Sequence, residues 1–492
     1  MTNDQKTWTV SDVLHATGGR LVRGNEGTRF QAISIDSRTT RAGDLFVAIA
    51  GQKHDGHNFL GKAFDRGALG VLVAEDYISE QFPPASPESA SGGRWRAGPA
   101  RKQEELWMAV PDTLRALGDL AAFRRRQSNV SVVAITGTNG KTTTKEMTAV
   151  VLDQAFNVLK TPGNFNNLIG LPLTLFGLSD SHEWAVLEVA MNRPGEIRRL
   201  AEIANPDLGV ITNIEPGHLE GVKDIDGVME AKGELLEGLG QNGTAVLNVD
   251  DQRVCRLAER FGGRVVTFGI RSSAEVSGIP VSQTRTGSSF DLSWYDESVR
   301  VCLKILGKGA IYNALAAAAV GYRVGLSIEE VKKGLESAVS LPGRMEISTL
   351  RGAIHLINDT YNANPGSVAV AIETLCSLKG RGRGIFVIGD MMELGQHAQN
   401  AHRQIGILAA RAGMAGLYAT GEFADAVTEG AAGAGMDRRK IFIGTREQIV
   451  EAVKQRTGPG DWILVKGSRL MAMEKVVEGL QSNADFGMRN AE

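Results

Sequence analysis

The sequence predicts an α/β protein of three domains, in which a small α/β domain precedes two doubly wound domains. Its 492 residues suggest about three domains of ordinary size. Apolar strands without polar alternation recur along the chain, as in parallel sheets that helices cover on both faces. The pattern then starts anew after LPGR (341–344). We therefore expect domains over residues 1–110, 111–340 and 341–492.

The first predicted domain contains two strand-like runs, FQAISID (30–36) and DLFVAIA (44–50). Near its end, residues 79–105 are rich in Pro, Ser, Gly and charged side chains. Such a segment buries little apolar surface, so we predict a flexible surface insertion there.

The second predicted domain begins with a helix over 111–127, with Pro111 in its first turn. Its predicted strands are VSVVAI (130–135), WAVLEVA (184–190), LGVITNI (208–214) and TAVLNV (244–249). The strands predicted for the third domain are AIHLIN (353–358), GIFVIG (384–389), GLYAT (416–420), KIFIG (440–444) and WILVKG (462–467).

The composition excludes several classes of protein. Hydrophobic residues make up 42% and charged residues 22% of the chain, which is typical of globular domains. The formal net charge is −2, so no general basic field favours nucleic acid. Three cysteines lie far apart, which argues against a disulfide framework and for a reducing compartment. With neither a signal peptide nor a membrane-spanning run in sight, we expect a cytoplasmic protein without membrane insertion, and a monomer.

The segment TGTNGKTTT (136–144) has the features of a phosphate-binding loop. It follows an apolar strand and opens a helix, whose first N–H groups favour phosphate. Lys141 supplies a positive charge for the phosphates, and the Thr142 hydroxyl can ligate Mg²⁺. The first glycine of the usual pattern is absent, so the loop is a shortened variant. The predicted nucleotide contacts of this loop are Gly137, Thr138, Asn139, Gly140, Lys141, Thr142 and Thr143.

Two polar residues follow neighbouring apolar strands. Glu188 lies near the end of the run WAVLEVA, and His218 comes shortly after LGVITNI. Ligands of doubly wound sheets bind at the carboxyl ends of the strands, so both residues should face the phosphate loop. With Thr142 they would compose a hard-ligand Mg²⁺ site. The alternatives are a carboxylate that caps a helix and a histidine that holds a turn.

TGTNGKTTT resembles the ATP loop of the Mur ligases and of the related folylpolyglutamate synthetases. The resemblance implies that a carboxylate is activated by ATP as an acyl phosphate, which an amine then attacks. It assigns Mg²⁺ binding to Thr142, Glu188 and His218. Lys232 in MEAKGEL matches a lysine that is carbamylated in many Mur ligases, where it also serves the metal. The alternative is a solvated helix lysine.

Further segments resemble the family in the same order along the chain. TPGNFNNLIGLP (161–172) is similar to a substrate segment, which implies substrate contacts by Asn164 and Asn167; an ordinary Asn-rich turn is the alternative. GKGAIYNALAAA (307–318) is similar to the segment that approaches adenine, and it retains Asn313. The usual His-Asn pair of this segment is replaced by Gly309 and Ala310.

The last predicted domain supplies residues that the resemblance places around ATP. Arg344 matches an arginine that approaches the γ-phosphate, and Asp359 matches a carboxylate that binds the ribose. Tyr361 and Asn362 would help to hold the nucleotide, and Lys466 can reach a phosphate or the carboxylate of the acceptor. Surface salt bridges and turns are the alternatives for these residues.

Further motifs indicate which branch of the family the sequence resembles. DSRTTRAGDLFVAIAG (36–51) resembles the UDP-binding domain of some Mur ligases, which implies that Ser37 and Arg38 lie near the uridine or its pyrophosphate; a plain turn is the alternative. An Asp-Asn-Pro-Arg motif of the diaminopimelate-adding branch is absent. NDTYNANPGS (358–367), IGDMMELG (388–395) and LVKGSRLMAME (464–474) resemble instead the branch that adds D-alanyl-D-alanine.

The resemblance thus implies a UDP-precursor-binding domain, a central P-loop-type ATPase domain and a C-terminal Rossmann-like domain. It implies an ATP- and Mg²⁺-dependent ligase that joins D-alanyl-D-alanine to UDP-N-acetylmuramoyl-tripeptide in peptidoglycan synthesis. The alternatives are a related ligase that adds a single amino acid and a binding protein switched by ATP turnover. The residues that would carry the chemistry are Lys141, Glu188, His218, Lys232 and Arg344.

Overall fold

The computed structural model describes residues 7–51, 54–81, 105–217, 219–240 and 242–482. The chain forms two compact units. The first comprises Met1–Val132, Asn157–Val189 and Arg199–Asn205, and the second comprises Val133–Phe156, Ala190–Arg198 and Pro206–Glu492. Helices and strands alternate through both units, which confirms the predicted α/β class. The boundaries of the three predicted domains stay a prediction.

The elements as far as the phosphate loop include short strands and helices that begin with polar caps. They are β1 Trp8–Thr9, α1 Val10–Thr17, β2 Arg20–Arg23, β3 Arg29–Phe30, β4 Ile33–Ser34, β5 Leu45–Val47, α2 Leu60–Asp65, β6 Gly70–Ala74, α3 Glu75–Gln81, β7 Leu106–Val110, α4 Thr113–Arg126 and β8 Ser131–Thr136. The run FQAISID is thus divided between β3 and β4. Residues 79–81 belong to α3, and the rest of the predicted insertion, as far as 104, lies outside the described residues.

The next elements carry most of the predicted site. They are α5 Lys141–Leu152, β9 Val158–Lys160, α6 Gly170–Leu175, β10 Trp184–Glu188, α7 Glu196–Ala204, β11 Leu208–Ile211, α8 Leu219–Val222, α9 Ile225–Glu237, β12 Thr244–Asn248, α10 Gln252–Arg260, β13 Arg264–Gly269, β14 Val276–Thr284, β15 Gly287–Trp294, β16 Glu297–Leu303, α11 Lys308–Arg323 and α12 Ile328–Ser337.

The final elements repeat a strand–helix pattern. They are β17 Glu346–Leu350, β18 Ile354–Asp359, α13 Pro365–Lys379, β19 Gly384–Ile388, α14 Ala398–Arg411, β20 Gly416–Ala419, α15 Ala424–Gly433, β21 Ile441–Ile443, α16 Arg446–Arg456, β22 Trp462–Lys466 and α17 Glu474–Gln481. None of the helices in the described ranges is long and apolar enough to cross a membrane.

The first unit contains a five-stranded sheet in the order β2-β7-β6-β5-β4. Strands β4 to β7 are parallel, and β2 joins the edge antiparallel to β7. Apolar side chains fill both faces of this sheet, with Leu45, Leu72 and Met108 on one and Phe46, Val71 and Val73 on the other. Strands β9 and β10 of the same unit pair in parallel.

In the second unit, seven strands run in the order β16-β15-β14-β13-β12-β11-β8. The pairs from β8 to β14 are parallel, and β14 to β16 form an antiparallel extension. Thr136 at the end of β8 is the register partner of Ile211 at the end of β11. The loops that follow these two strands are therefore neighbours.

A six-stranded sheet of the second unit has the order β17-β18-β22-β19-β20-β21. Only β17 is antiparallel, and the other pairs are parallel. Buried clusters cover both faces, with Phe386 and Leu464 in one and Val387 and Val465 in the other. Asp359 and Lys466 are register partners at the carboxyl ends of adjacent strands, so the topology brings these two predicted site residues together.

Candidate active site

The phosphate loop connects β8 to α5 through two glycines that cannot be replaced without strain. Gly137 has φ +146 and Gly140 has φ +83, in the region that favours glycine. A Cβ atom at Gly137 would overlap the hydroxyl of Thr212, and one at Gly140 would overlap Oδ1 of Asn313. The loop is therefore closely enclosed by the residues after β11 and by α11.

Hydrogen bonds fix the middle of the loop to the segment after β11. The backbone carbonyl of Asn139 accepts bonds from Thr212 Oγ1 at 2.7 Å and Asn213 Nδ2 at 3.0 Å. Lys141 folds back so that its Nζ donates to the carbonyls of Gly137 at 2.8 Å and Thr138 at 3.1 Å. Lys141 thus lies over its own loop, and its contact with phosphate stays a prediction.

Arg344 reaches the first turn of α5. Its Nη2 donates to Thr142 Oγ1 at 2.9 Å, and its guanidinium lies 4.1 Å from the centroid of the Tyr361 ring. Thr143 is half-buried and lines a small cavity beside Arg344. An arginine stacked on an aromatic ring is held in one orientation, which suits the recognition of a phosphate.

The residues at the carboxyl ends of β18 and β22 form a buried ion pair. Lys466 Nζ lies 2.5 Å from Asp359 Oδ2 and donates to the carbonyl of Asn362 at 2.9 Å. The other oxygen of Asp359 accepts the N–H of Met345 at 3.1 Å. In this arrangement Lys466 holds Asp359 and Asn362 in place, and a direct contact of Lys466 with a substrate stays a prediction.

Helix α11 shows what replaces the His-Asn pair. Gly309 has room in front of it, because a Cβ atom there would meet only Val370 Cγ1 at 3.8 Å. The Asn313 side chain accepts a bond from Thr144 Oγ1 at 3.3 Å. Between them, the Tyr312 hydroxyl donates to Asp250 Oδ2 at 2.7 Å. Burial and this carboxylate raise the pKa of Tyr312 to about 12, so the hydroxyl stays a donor at neutral pH.

Lys232 lies in α9 with 1% of its surface exposed. Burial, and secondly the positive charge of Lys141, lower the pKa of this lysine well below its ordinary value. A neutral amine is the form that reacts with CO₂, so the environment suits the predicted carbamate. His218 lies outside the described residues.

In the first unit, Glu188 ends β10 with 2% of its surface exposed. Its Oε1 accepts a bond from Asn166 Nδ2 at 2.7 Å, and its N–H donates to Thr161 Oγ1 at 3.0 Å. Its Oε2 is buried without a hydrogen-bond partner among the described residues. A buried, unpaired carboxylate oxygen is costly unless a cation or donor completes it, so Glu188 fits the role of a Mg²⁺ ligand.

The other predicted substrate residues of the first unit are largely engaged in turns. Asn167 Oδ1 accepts the N–H groups of Ile169 at 3.1 Å and Gly170 at 2.9 Å, at the start of α6. Asn164 is exposed, and its carbonyl accepts the N–H of Asn166 at 2.7 Å. Asn167 therefore holds a turn through its Oδ1, Asn164 is exposed, and a substrate contact by either residue stays a prediction.

Ser37 and Arg38 occupy the turn after β4. Ser37 is buried, whereas Arg38 is exposed and forms an ion pair with Asp36 at 2.7 Å. The hydrogen bonds from Arg38 lower the pKa of Asp36 to about 2. Nearby, a cavity of about 220 Å³ is lined by Trp8, Ile33, Arg124 and Phe176, and it includes neither Ser37 nor Arg38.

Three family models match successive parts of the chain. The Mur ligase family catalytic domain matches residues 29–125, the Mur ligase middle domain matches 135–321, and the Mur ligase glutamate ligase domain matches 343–469. A UDP-N-acetylmuramoyl-tripeptide--D-alanyl-D-alanine ligase from Escherichia coli is 35% identical over 478 residues, which are 96% of this chain and 98% of that protein. This chain belongs to the Mur ligase family.

Other Mur ligases are similar over the same length. A ligase of the same name from Bacillus subtilis is 32% identical over 96% of this chain and 98% of its own. A crystal structure of MurF from Acinetobacter baumannii has a TM-score of 0.85 and 30% identity, covering 98% of this chain and 100% of that chain. A MurF ligase structure from Thermotoga maritima, in complex with ADP, has a TM-score of 0.77 and 27% identity over 92% of this chain and 97% of that chain.

Within the second unit of this Mur ligase, one set of predicted residues comes together around the phosphate loop. Arg344 touches Thr142, Asn313 touches Thr144, and Tyr361 supports Arg344. Two close neighbours were not predicted from the sequence. Asn364 and Glu215 both contact Asn139. The sequence signal for Asn364 is the Asn-Pro pair at the start of α13, which is typical of a helix cap, and Glu215 has no such signal.

Proposed function

We propose that this Mur ligase joins D-alanyl-D-alanine to UDP-N-acetylmuramoyl-tripeptide, with cleavage of ATP to ADP and phosphate. The observation that carries the proposal is similarity along almost the whole chain to ligases of that name, combined with a glycine-rich loop on which Lys141 and Arg344 converge. A cation pair of this kind serves a transferring phosphoryl group.

The reaction proceeds in two steps. An oxygen of the tripeptide's terminal carboxylate attacks the γ-phosphorus, which forms a new P–O bond while the bond to the ADP oxygen breaks. The free amine of D-alanyl-D-alanine then attacks the carbonyl carbon of this acyl phosphate. Collapse of the tetrahedral intermediate expels inorganic phosphate, and the amine nitrogen gives up a proton as the amide forms.

The side chains act by position and charge. Lys141 and Arg344 offset the negative charge of the phosphates, and the N–H groups that open α5 add their dipole. The carboxylate of Asp359 accepts hydrogen bonds from the ribose hydroxyls, and Lys466 holds that carboxylate in place. Tyr361, Asn362 and Asn313 complete the nucleotide site. Contacts of this kind contribute mainly by holding the reactants in line.

Mg²⁺ is part of the proposal, with Thr142, Glu188, His218 and the carbamate of Lys232 as its ligands. The unpaired oxygen of Glu188 and the lowered pKa of Lys232 support these two assignments. When bound, the ion would neutralise phosphate charge and orient the phosphoryl oxygens.

The remaining predictions complete the proposal. Ser37 and Arg38 lie near the uridine or its pyrophosphate, and Asn164 and Asn167 contact the UDP-sugar or the neighbouring phosphates. We retain domains over 1–110, 111–340 and 341–492, a monomeric state and a cytoplasmic location, where ATP is available.

The test is to incubate the protein with ATP, Mg²⁺, UDP-N-acetylmuramoyl-tripeptide and D-alanyl-D-alanine, and to follow phosphate release together with product mass. We expect phosphate only when both substrates are present, with a new UDP-pentapeptide mass. Replacing the dipeptide by single L-amino acids distinguishes the related ligases. Phosphate release that ignores the dipeptide, with no new mass, would contradict the proposal.

A further inference from the structure

Glu215 lies beside the phosphate loop on the segment that follows β11. Its carboxylate accepts a bond from Asn139 Nδ2 at 2.6 Å. Its backbone N–H donates to Thr138 Oγ1 at 3.0 Å, and the same hydroxyl donates to the carbonyl of Glu215 at 3.0 Å. The main chain of Glu215 therefore bonds Thr138, and its side chain bonds the next loop residue, Asn139.

Asn139 also forms hydrogen bonds with Asn364, at the start of helix α13. Asn364 Nδ2 donates to Asn139 Oδ1 at 2.7 Å, and Asn139 Nδ2 lies 3.3 Å from Asn364 Oδ1. Asn364 is also the N-cap of α13, where its Oδ1 accepts the N–H of Ser367 at 2.8 Å. The two amides thus form a reciprocal pair that joins the phosphate loop to the first turn of the helix.

The carboxylate of Glu215 also lies against the first turn of α13. A Cβ atom at Gly366 would overlap Glu215 Oε2, so only glycine allows this approach. The N-terminus of a helix favours a negative charge. Glu215 is half-buried, and this burial raises its pKa.

The position of Asn364 determines the position of several proposed ATP residues. Asn362 and Tyr361 lie only two and three residues before it, and the Tyr361 ring supports Arg344. We propose that Glu215, Asn139 and Asn364 form a latch that positions Arg344, Tyr361 and Asn362 on the phosphate loop, with Glu215 as a positioning residue for the nucleotide. This inference rests on the proposed ATP-dependent function.

The first test is a double-mutant cycle in the full chain, with the melting temperature as readout. Within a helix, Gly→Ala is normally stabilising. We expect Gly366→Ala to lower the melting temperature by about 2–5 °C in the wild-type background, because the new methyl group displaces Glu215. In the Glu215→Ala background the loss should be smaller by at least about 2 °C, because only Asn139 Nδ2, at 3.3 Å, then stays close to the new Cβ atom.

Gly433→Ala is the matched control, since Gly433 lies in α15 and a Cβ atom there would meet nothing within 4 Å. Its effect should have the same sign and size in both backgrounds. If Gly366→Ala changes the melting temperature equally with and without Glu215, the latch is wrong.

The second test separates positioning from plain stability. Glu215→Ala should raise the KM for ATP about ten-fold, the equivalent of one lost hydrogen bond to a charged group, while the KM for D-alanyl-D-alanine changes less than about two-fold. Glu215→Gln keeps an acceptor oxygen for Asn139 and should recover part of the loss. Glu259→Ala, an exposed carboxylate on α10, should leave both constants unchanged.

Calorimetric binding of ADP distinguishes this inference from the proposed function. If the wild-type protein binds ADP but performs no ligation, the proposed reaction is wrong, and weaker ADP binding by Glu215→Ala would still support the latch. If the wild-type protein ligates and Glu215→Ala has wild-type affinity for ADP and a wild-type KM for ATP, the latch is overturned.

Discussion

At the scale of single residues, two buried lysines of this Mur ligase have different electrostatic surroundings. Lys232 and Lys466 are both almost fully buried. Burial, and secondly the nearby charge of Lys141, lower the pKa of Lys232, whereas Lys466 lies against the carboxylate of Asp359. The first is therefore suited to lose its proton, whereas the second is held in a buried ion pair.

His402 provides a test of such an environment through pH. Its Nδ1–H donates to Ala398 O at 2.7 Å, and its Nε2 accepts the N–H of Met391 at 2.8 Å, an arrangement that needs the neutral ring. Burial lowers the pKa of His402. Below about pH 6.5 the unfolded chain therefore binds a proton at His402 that the folded chain does not bind. The contribution of His402 to stability is fully present above that pH and is lost as the pH falls.

We expect the free energy of unfolding to fall on acidification below about pH 6.5, by up to about 1.4 kcal/mol per pH unit from this group. The His402→Gln variant should lack that slope. Melting temperatures of both proteins between pH 5 and pH 8 measure the difference. Parallel curves would show that His402 does not resist protonation in the folded protein.

The residues that sequence reasoning missed share one physical property. The partners Asn139 and Glu215 are 76 residues apart, and Asn139 and Asn364 are 225 residues apart. Asn166, which holds Glu188, lies 22 residues from it within a segment that predicted only a turn or a substrate contact. No local spacing encodes such contacts, whereas the glycines and Lys141 of the phosphate loop form a continuous motif.

At the scale of elements, apolar parallel strands were predicted well and polar antiparallel strands were not. The runs VSVVAI and WILVKG correspond to β8 and β22 within one or two residues. The extension β14 to β16 was missed, because β14 has mostly exposed residues after its third position and so lacks an apolar run. β17, at an edge of its sheet, was missed for the same reason.

The close approach of α11 to the phosphate loop makes Gly140 sensitive to any side chain. Gly140→Ala places a methyl group where Asn313 Oδ1 lies and also strains a backbone with φ +83. We expect at least about 100-fold weaker ADP binding, because the loop must move from its phosphate-binding shape. Calorimetry measures it, and Gly262→Ala, with no atom within 4 Å of the new Cβ, is the control. Equal affinities would contradict the proposed loop.

A double variant tests whether the buried carboxylate of Asp359 depends on Lys466 for its stability. Lys466→Met leaves the carboxylate of Asp359 buried without its cation, which should cost about 3–5 kcal/mol. Adding Asp359→Asn removes the unpaired charge, so the double variant should be more stable than Lys466→Met alone. Denaturant unfolding of the three proteins measures these differences. If the second substitution destabilises further, the carboxylate does not depend on Lys466.

At the scale of the whole molecule, the α/β class and membership of the Mur family follow from motifs that recur in family order. The chain forms two compact units, a division that the sequence pattern did not indicate. Segments Asn157–Val189 and Arg199–Asn205 join the first unit although they lie within the second predicted domain. Chain order alone does not specify which elements pack together, because that depends on tertiary contacts.

The most direct test of the proposed ligation follows one oxygen atom. The tripeptide substrate would be labelled with ¹⁸O in its terminal carboxylate and turned over with ATP, Mg²⁺ and D-alanyl-D-alanine. If the carboxylate attacks the γ-phosphorus, each molecule of phosphate released carries one oxygen from that carboxylate, and mass spectrometry should find it there. Phosphate without the label, released at the same rate, would show that water attacks ATP and would contradict an acyl-phosphate ligase.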